Sequence, residues 1–292
     1  MTHIRIATRS SKLARWQAER VAVSIAALDP TITTELVFVS TIGDQRRDVP
    51  IHELGGTGVF VKEVQQAVLN GHADVAVHSA KDLPSTTADG LTLACVPERA
   101  DIRDALIGAR LRDIRNGGVV ATGSVRRRAQ LHAVRPDLVF SELRGNIDTR
   151  LDNAGQFDAI VLACAGLDRI GRSDAIVERL ELDVMVPQIG QGALAIECRA
   201  DDAPTASVLQ RLDNAEHHTC VDTERAFLAG IGGGCEAPVG AYARMNGTTI
   251  ELIAVLADDH GTLHRDLRSG SDAHQLGSEA ARALLPALGD PQ

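Results

Sequence analysis

The sequence predicts an α/β fold of two similar domains followed by a small α+β domain. Three observations predict it. Short strands rich in Val and Ile alternate with helix-length amphipathic runs over the first two-thirds of the chain, the pattern of largely parallel, buried sheets. That alternation stops at a charged stretch, Pro97-Glu98-Arg99-Ala100-Asp101, and then starts again. From about His217 the order changes to one helix, three strand-like runs and a last helix, as in an α+β unit.

Residues 4–8 form a short apolar strand, and 11–28 a helix with Leu13, Trp16, Val21 and Ile25 near helical spacing. A strand over 35–40 follows. Residues 59–69 read as a helix with Phe60, Val64 and Val68 on one face, and 74–78 and 91–96 as strands. After the charged hinge come a strand (118–121), a helix (124–134), a strand (138–141), a helix (147–154) and a strand (159–163). The turn at 187–192 precedes a strand over 193–198, where the chain is expected to cross back to the first domain. The last part reads as a helix (222–229), strands over 240–244, 249–257 and 262–267, and a helix over 275–285.

The chain has 292 residues, 44% hydrophobic and 24% charged, which suits two or three globular domains. No apolar run reaches the roughly 20 residues of a membrane helix. The first residues read directly as a strand rather than as a signal peptide, so a cytosolic protein is expected. Five widely spaced cysteines without a CxxC pair argue against a disulfide framework or a cysteine zinc site. The histidines lack companions at metal-ligand spacing and read as structural or surface residues. A net charge of −9 and an aromatic content of 2% disfavour nucleic-acid binding. The arginines nevertheless gather near glycines and strand ends, which points to a pocket for an anionic small molecule.

Ligands of open α/β sheets bind beyond the carboxyl ends of strands. At those ends this sequence places Arg9 and Ser11, then Lys81 and Asp82, then Thr122, Ser124, Arg126 and Arg127, then Arg144. Each loop meets a helix N-terminus or a glycine, where free N–H groups favour anions, and arginine adds a bidentate fork for carboxylates. Four converging loops of this kind would make a polyanion site. Arg126-Arg127-Arg128 also fits a solvated helix face, and Lys81-Asp82 a surface pair. Asp82, between an apolar strand and Pro84, is a candidate acid–base group. Gly55-Gly56-Thr57-Gly58 lacks the spacing of a nucleotide loop. Gly233-Gly234-Cys235 strips side chains from the backbone beside one thiol, so a bulky partner can reach the sulfur. It equally fits a glycine-rich turn that happens to hold a cysteine.

Taken together, Arg5-Ile6-Ala7-Thr8-Arg9, the run 58–63, the run 78–84 (His-Ser-Ala-Lys-Asp-Leu-Pro), Ser124-Val125-Arg126-Arg127, Leu143-Arg144-Gly145-Asn146 with Thr149-Arg150, Gly190-Gln191-Gly192 and Gly233-Gly234-Cys235 resemble the porphobilinogen deaminase (hydroxymethylbilane synthase) family from about residue 4 to 240. The resemblance implies a transferase of tetrapyrrole and heme biosynthesis. It would join four porphobilinogen units head to tail, with loss of ammonia, into the linear tetrapyrrole 1-hydroxymethylbilane. It implies a dipyrromethane cofactor on a thioether to Cys235, with Lys81, Asp82, Thr122, Ser124, Arg126 and Arg127 around it. Arg9, Ser11, Arg144, Arg150, Arg169 and Gln191 would bind substrate carboxylates, and Asp82 would stabilise the cation formed as ammonia leaves. No metal is implied.

The implied domains are 1–97 with 194–214, then 98–193, the pair resembling a periplasmic binding protein, and a third at 215–292 that carries the cysteine. A monomer is expected. Thr57 stands where many members have Lys, Gly123 where Ser is common, Ala80 where Met is common and Lys12 where many have Pro, which leaves individual carboxylate contacts open. A non-catalytic two-domain anion binder or sensor would explain the arginines and the hinge, but not Asp82 or the glycine-flanked cysteine. A transferase using Cys235 directly as nucleophile would need a positioned base.

Overall fold

Strand β1 (His3–Arg9) runs into helix α1 (Lys12–Leu28), capped by Ser11, whose Oγ accepts from the Ala14 N–H at 3.3 Å. Helix α1 buries Gln17, Ala18, Val21 and Ile25. Trp16, expected on the buried face, is 37% exposed, because the apolar stripe runs through Ala18 and Val21 instead. Strand β2 (Thr33–Val39), helix α2 (Lys62–Leu69), strand β3 (Val75–Ser79), a 3-10 turn (Ala80–Asp82) and strand β4 (Leu91–Cys95) follow. This computed structural model describes residues 2–42, 58, 60–232, 238–258 and 260–288.

The first sheet has the order β2-β1-β3-β10-β4, where β10 is Leu194–Arg199. Strand β1 is parallel to β2 and β3, whereas β10 is antiparallel to both β3 and β4. The sheet is therefore largely parallel, as expected, with β10 alone running against the other four strands. The cause is where the chain re-enters. The Ala80 N–H donates to the Ala193 carbonyl at 3.0 Å, and Leu194 pairs with Ser79. A strand that starts at the carboxyl end of β3 must run antiparallel to it.

The second sheet repeats the plan. It contains β5 (Asp104–Ile107), β6 (Val119–Ala121), β7 (Val139–Ser141), β8 (Ala159–Ala163) and β9 (Glu178–Arg179) in the order β7-β6-β8-β5-β9. Helices α3 (Val125–Val134), α4 (Ile147–Asp152) and α5 (Cys164–Arg169) connect its strands. Strand β5 also starts at the carboxyl end of its neighbour, with Asp104 paired to Ala163, and is antiparallel to β8 and β9. Strands β5 and β9 and helix α5 were not expected. They are two to six residues long, too short to show a period.

Helices α6 (Ala203–Gln210) and α7 (Ala215–Ile231) precede an antiparallel meander of β11 (Val239–Asn246), β12 (Thr249–Ala257) and β13 (Leu263–Gly270), and α8 (Ala273–Leu284) closes the chain. Helix α7 starts seven residues before the expected 222, because the Asn214 side chain accepts from the His217 N–H at 3.0 Å and caps it. Gly277 lets α8 approach α7 closely: a Cβ there would lie 2.3 Å from the Thr223 carbonyl oxygen. By its contacts the chain divides into one unit of Met1–Arg99 with Ala193–Val221 and another of Ala100–Gly192 with Asp222–Gln292. In the first, Ile4, Ile6, Val21, Ile25, Val75 and Ile196 form the main core. In the second, Leu106, Val120, Leu131 and Val161 do so on one face of the sheet, and Ile160, Leu162 and Leu167 on the other.

Candidate active site

In the first unit, strand ends supply the polar groups. Arg9 ends β1, Ser11 caps α1, and Asp82 ends the turn after β3. Together with Gln17, Phe60 and Ser79 they line one pocket. The Arg9 guanidinium sits 4.1 Å from the centroid of the Phe60 ring, a cation–π contact that holds the charge without neutralising it. Gln17 Nε2 donates to Ser79 Oγ at 2.8 Å and ties α1 to the end of β3. The Asp82 side chain is half-buried, and none of the hydrogen bonds or ion pairs among the described residues uses it. Lys81 precedes it on the same turn and is also half-buried. A cation and an uncommitted carboxylate in one pocket suit a small ligand that carries both signs of charge.

In the second unit, Thr122 follows β6 and Ser124 caps α3, accepting from the Arg127 N–H at 3.4 Å while its own N–H donates to Thr122 Oγ1 at 3.2 Å. Arg126 and Arg127 are only 3% and 7% exposed, so they do not form the solvated helix face considered for this run. Both clasp Asp104, which is fully buried. Arg126 Nη2 donates to Oδ2 at 2.8 Å, and Arg127 Nε and Nη2 donate to Oδ1 at 3.1 and 2.7 Å. Arg126 Nη1 and Arg127 Nη1 donate to the carbonyls of Val186 and Val161. Gln191, also fully buried, donates to Asp104 Oδ1 at 3.1 Å and to the Ile102 carbonyl at 2.8 Å. Burial alone raises the Asp104 carboxyl, but the two guanidinium groups outweigh it and hold the acid below the usual carboxylate range. Arg128 bonds the Thr122 carbonyl and Glu142.

The remaining arginines lie at later strand ends. Arg144 is exposed, 3.8 Å from Glu142. Arg150 donates from Nε to the Gly145 carbonyl at 2.8 Å, and burial, reinforced by the Arg127 cation, pushes its guanidinium down to about 10. Arg169 donates to the Gly192 carbonyl at 2.6 Å, and burial, opposed by Asp168, pushes it down to about 10. Two half-buried cations at lowered pKa mark places where an anion is favourable.

Cys235, with Gly233 and Gly234, lies outside the described residues, as do Gly55, Gly56 and Thr57. The four described cysteines are free and buried. Burial pushes the thiols of Cys95 and Cys164 up to about 12 and that of Cys198 up to about 11, which leaves them unreactive at neutral pH.

Sequence reasoning passed over Asp104, Phe60, Ser79, Gln17 and Glu224. Asp104 begins a four-residue apolar strand, and only a lone acid heading that strand marked it. Glu224 is fully buried and accepts from the N–H groups of Gly190, at 2.7 Å, and Ala243, at 2.9 Å. It ties the Gly190-Gln191-Gly192 turn to α7 and β11.

Two family models match the chain. The model for "Porphobilinogen deaminase, dipyromethane cofactor binding domain" matches residues 4–207, and that for "Porphobilinogen deaminase, C-terminal domain" matches 218–286. Among curated proteins, the porphobilinogen deaminase of Roseiflexus castenholzii is 45% identical over 97% of this chain and 96% of its own length. That of Acidothermus cellulolyticus is 44% identical over 98% and 90%, and that of Bacillus pumilus 42% over 97% and 94%. Among solved structures, a periplasmic substrate-binding protein of an ABC transporter from Coxiella burnetii covers 72% of this chain and 91% of its own, with a TM-score of 0.45 at 14% identity. The methionine-binding protein MetQ covers 72% and 89%, also with a TM-score of 0.45 at 14% identity.

Proposed function

The chain belongs to the porphobilinogen deaminase family, and from that premise we propose which of its own residues carry each part of the reaction. It joins four porphobilinogen molecules head to tail, consuming one water and releasing four ammonia molecules, to give 1-hydroxymethylbilane, and it uses a dipyrromethane cofactor. With the family known, the non-catalytic binder is not favoured.

The donor set suits a cofactor that carries two pyrrole N–H groups and several carboxylates. Asp104 is one negative charge against the two guanidinium groups of Arg126 and Arg127, so that cluster keeps a net positive charge beside the Thr122 and Ser124 hydroxyls. Lys81, Asp82, Thr122, Ser124, Arg126 and Arg127 would hold the cofactor, with Cys235 as its covalent anchor. When bound, it supplies the nucleophilic ring carbon to which the first substrate is joined. Arg9, Ser11, Arg144, Arg150 and Arg169 bind the acetate and propionate groups of substrate rings, since desolvating those carboxylates without partners is costly. Gln191 acts through Asp104, which it touches.

Asp82 carries the chemistry. As the aminomethyl C–N bond of porphobilinogen breaks, ammonia leaves with the bonding pair and positive charge develops on the pyrrole. A half-buried carboxylate with no committed partner accepts the pyrrole N–H hydrogen bond and stabilises that charge. Its uncommitted state is the observation that carries this assignment. Asp82→Asn keeps the size and loses the charge, so turnover is expected to fall about 10²- to 10³-fold with the cofactor still attached. Steady-state assay of 1-hydroxymethylbilane beside intact mass tests this, and near-parent turnover overturns it.

We further read the protein as a cytosolic monomer of three domains, with 1–97 and 194–214, 98–193 and 215–292 as their bounds. Among the described residues no helix is long and apolar enough to cross a membrane. The free buried thiols fit a reducing compartment, and the separate β11-β12-β13 ladder favours a third domain. Sedimentation of the holoenzyme tests the monomer.

A further inference from the structure

Beside β3 lies a buried polar group that the reaction as described above leaves unused. Glu197, on β10, is 0% exposed inside the first sheet. Gln65 Nε2, from α2, donates to its Oε2 at 2.8 Å, and Oε1 has no hydrogen-bond partner among the described residues. A buried carboxylate with an oxygen left over is costly unless a proton or a cation stands near it. The group that stands there is His78: its Nε2 lies 3.3 Å from Glu197 Oε2, buried and not yet aligned as a hydrogen bond. Such contacts tighten in the loaded enzyme. His78 is the penultimate residue of β3, next to Ser79, and it lines the same pocket as Arg9, Ser79 and Asp82.

We propose that His78 is a second acid–base group of this pocket and that Glu197 is its positioning residue. The proposal rests on the assignment of ring joining to the Asp82 pocket. Each ring joining breaks the C–N bond of the protonated aminomethyl group, with ammonia leaving on the electron pair. It then forms a C–C bond between the freed methylene carbon and the α-carbon of the ring being extended, and that α-carbon must lose its proton. Ammonia is the final acceptor and departs as ammonium, so the step balances without any further reactant. His78 takes the α-proton on Nδ1 while Nε2–H points at Glu197, and passes it on to ammonia. Glu197 fixes that tautomer and stabilises the transient imidazolium, the same division of labour as in any carboxylate–imidazole pair. Asp82 is thereby left to stabilise the cationic pyrrole.

Of the charged groups on the elements around His78, Glu197 on β10 lies against it, and Arg9 at the end of β1 and Asp82 on the following turn line the same pocket. Helix α2 presents uncharged Gln65, its Glu63 being engaged by the Ile42 N–H, and α1 presents Gln17.

The test uses the cofactor-loaded enzyme. His78→Gln is expected to lower kcat about 10²-fold, at the low end for a positioned acid–base group, with KM and the attached dipyrromethane unchanged. Glu197→Gln keeps the shape. It is expected to lower kcat about tenfold, the scale of losing a group that only orients an imidazole, and to move the acid limb of the pH–kcat profile to lower pH, because loss of the carboxylate disfavours the imidazolium. A purely structural Glu197 would lower thermal stability without moving that limb. Nitrogen NMR of the unsubstituted protein with labelled histidine gives a readout independent of activity and of any variant's folding. The neutral His78 ring should carry its proton on Nε2, facing Glu197, with Nδ1 bare. A neutral His78 protonated on Nδ1 instead, or a folded Glu197→Gln enzyme with parental kcat and pH profile, overturns the proposal. If Asp82→Asn is inactive in the same assays, only this inference fails. If Asp82→Asn turns over normally, the assignment of the pocket itself fails.

Discussion

Arg126 and Arg127 show how burial changes what a residue type means. As a charge run on a helix, the pair fits either solvent or a ligand. In the fold both side chains converge on Asp104 and use it as an internal counter-ion. Breaking such a buried pair costs about 3–5 kcal/mol because a charge is left uncompensated. Asp104→Asn is therefore expected to lower stability by about that much, read by denaturant melts. The folded carboxyl lies below its unfolded value of 3.8, so its contribution is fully present above that value and is lost as pH falls below it. The acid limb of the parent's stability curve should flatten in Asp104→Asn. The cysteines behave in the opposite sense: Cys95, Cys164 and Cys198 are held as thiols by burial. We expect an iodoacetamide-type reagent to leave them unlabelled in the native protein. We also expect Cys235→Ala to fold but carry no mass of dipyrromethane, and an adduct mapped to any other cysteine would contradict that.

Elements place these residues more than side chains choose their own positions. Helix α3 begins where it does because Ser124 caps it, and that cap also fixes the turn Thr122-Gly123-Ser124. Ser124→Ala should cost about 1 kcal/mol of stability, the usual loss of an N-cap. If Ser124 also binds the cofactor, loading followed by mass should slow beyond what that destabilisation explains. Strands β5 and β10 are the elements on which both sheets depend. Each enters its sheet at the carboxyl end of a neighbour and runs antiparallel. They carry Asp104 and Glu197, the two buried acids on which the arginine pair and His78 are set. An acid within a short apolar strand has a local reason to be rejected, so its presence is explained only by what the sheet brings beside it.

Over the whole molecule, a net charge of −9 coexists with arginines whose positions favour anions. Self-repulsion with an acidic substrate is overcome locally, not globally. The KM for porphobilinogen should accordingly rise with ionic strength, more steeply at low salt, where screening lengths exceed about 10 Å. Arg144→Leu, Arg150→Leu and Arg169→Leu should each leave cofactor loading intact and slow later ring additions. Intact-mass ladders of enzyme-bound chains would report this, and parental rates in all three variants would remove the polyanion site.

The sequence by itself determined the alternation of strands and helices, the restart after the charged stretch at 97–101, the strand-end placement of Arg9, Asp82, Thr122 and Arg144, and the family. These follow from period, turn residues and motif order, all local along the chain. Tertiary structure alone decided the antiparallel course of β5 and β10, the pairing of Arg126 and Arg127 with Asp104, and the meeting of His78, Gln65 and Glu197. Those depend on where each strand enters its sheet, and on which charges burial then forces together. Asp104 and Arg126 are 22 residues apart, and Gln65 and Glu197 are 132 apart, so no local pattern records that they touch. Burial makes each contact obligatory, since in a low-dielectric interior a charge left without a partner is costlier than almost any rearrangement that supplies one.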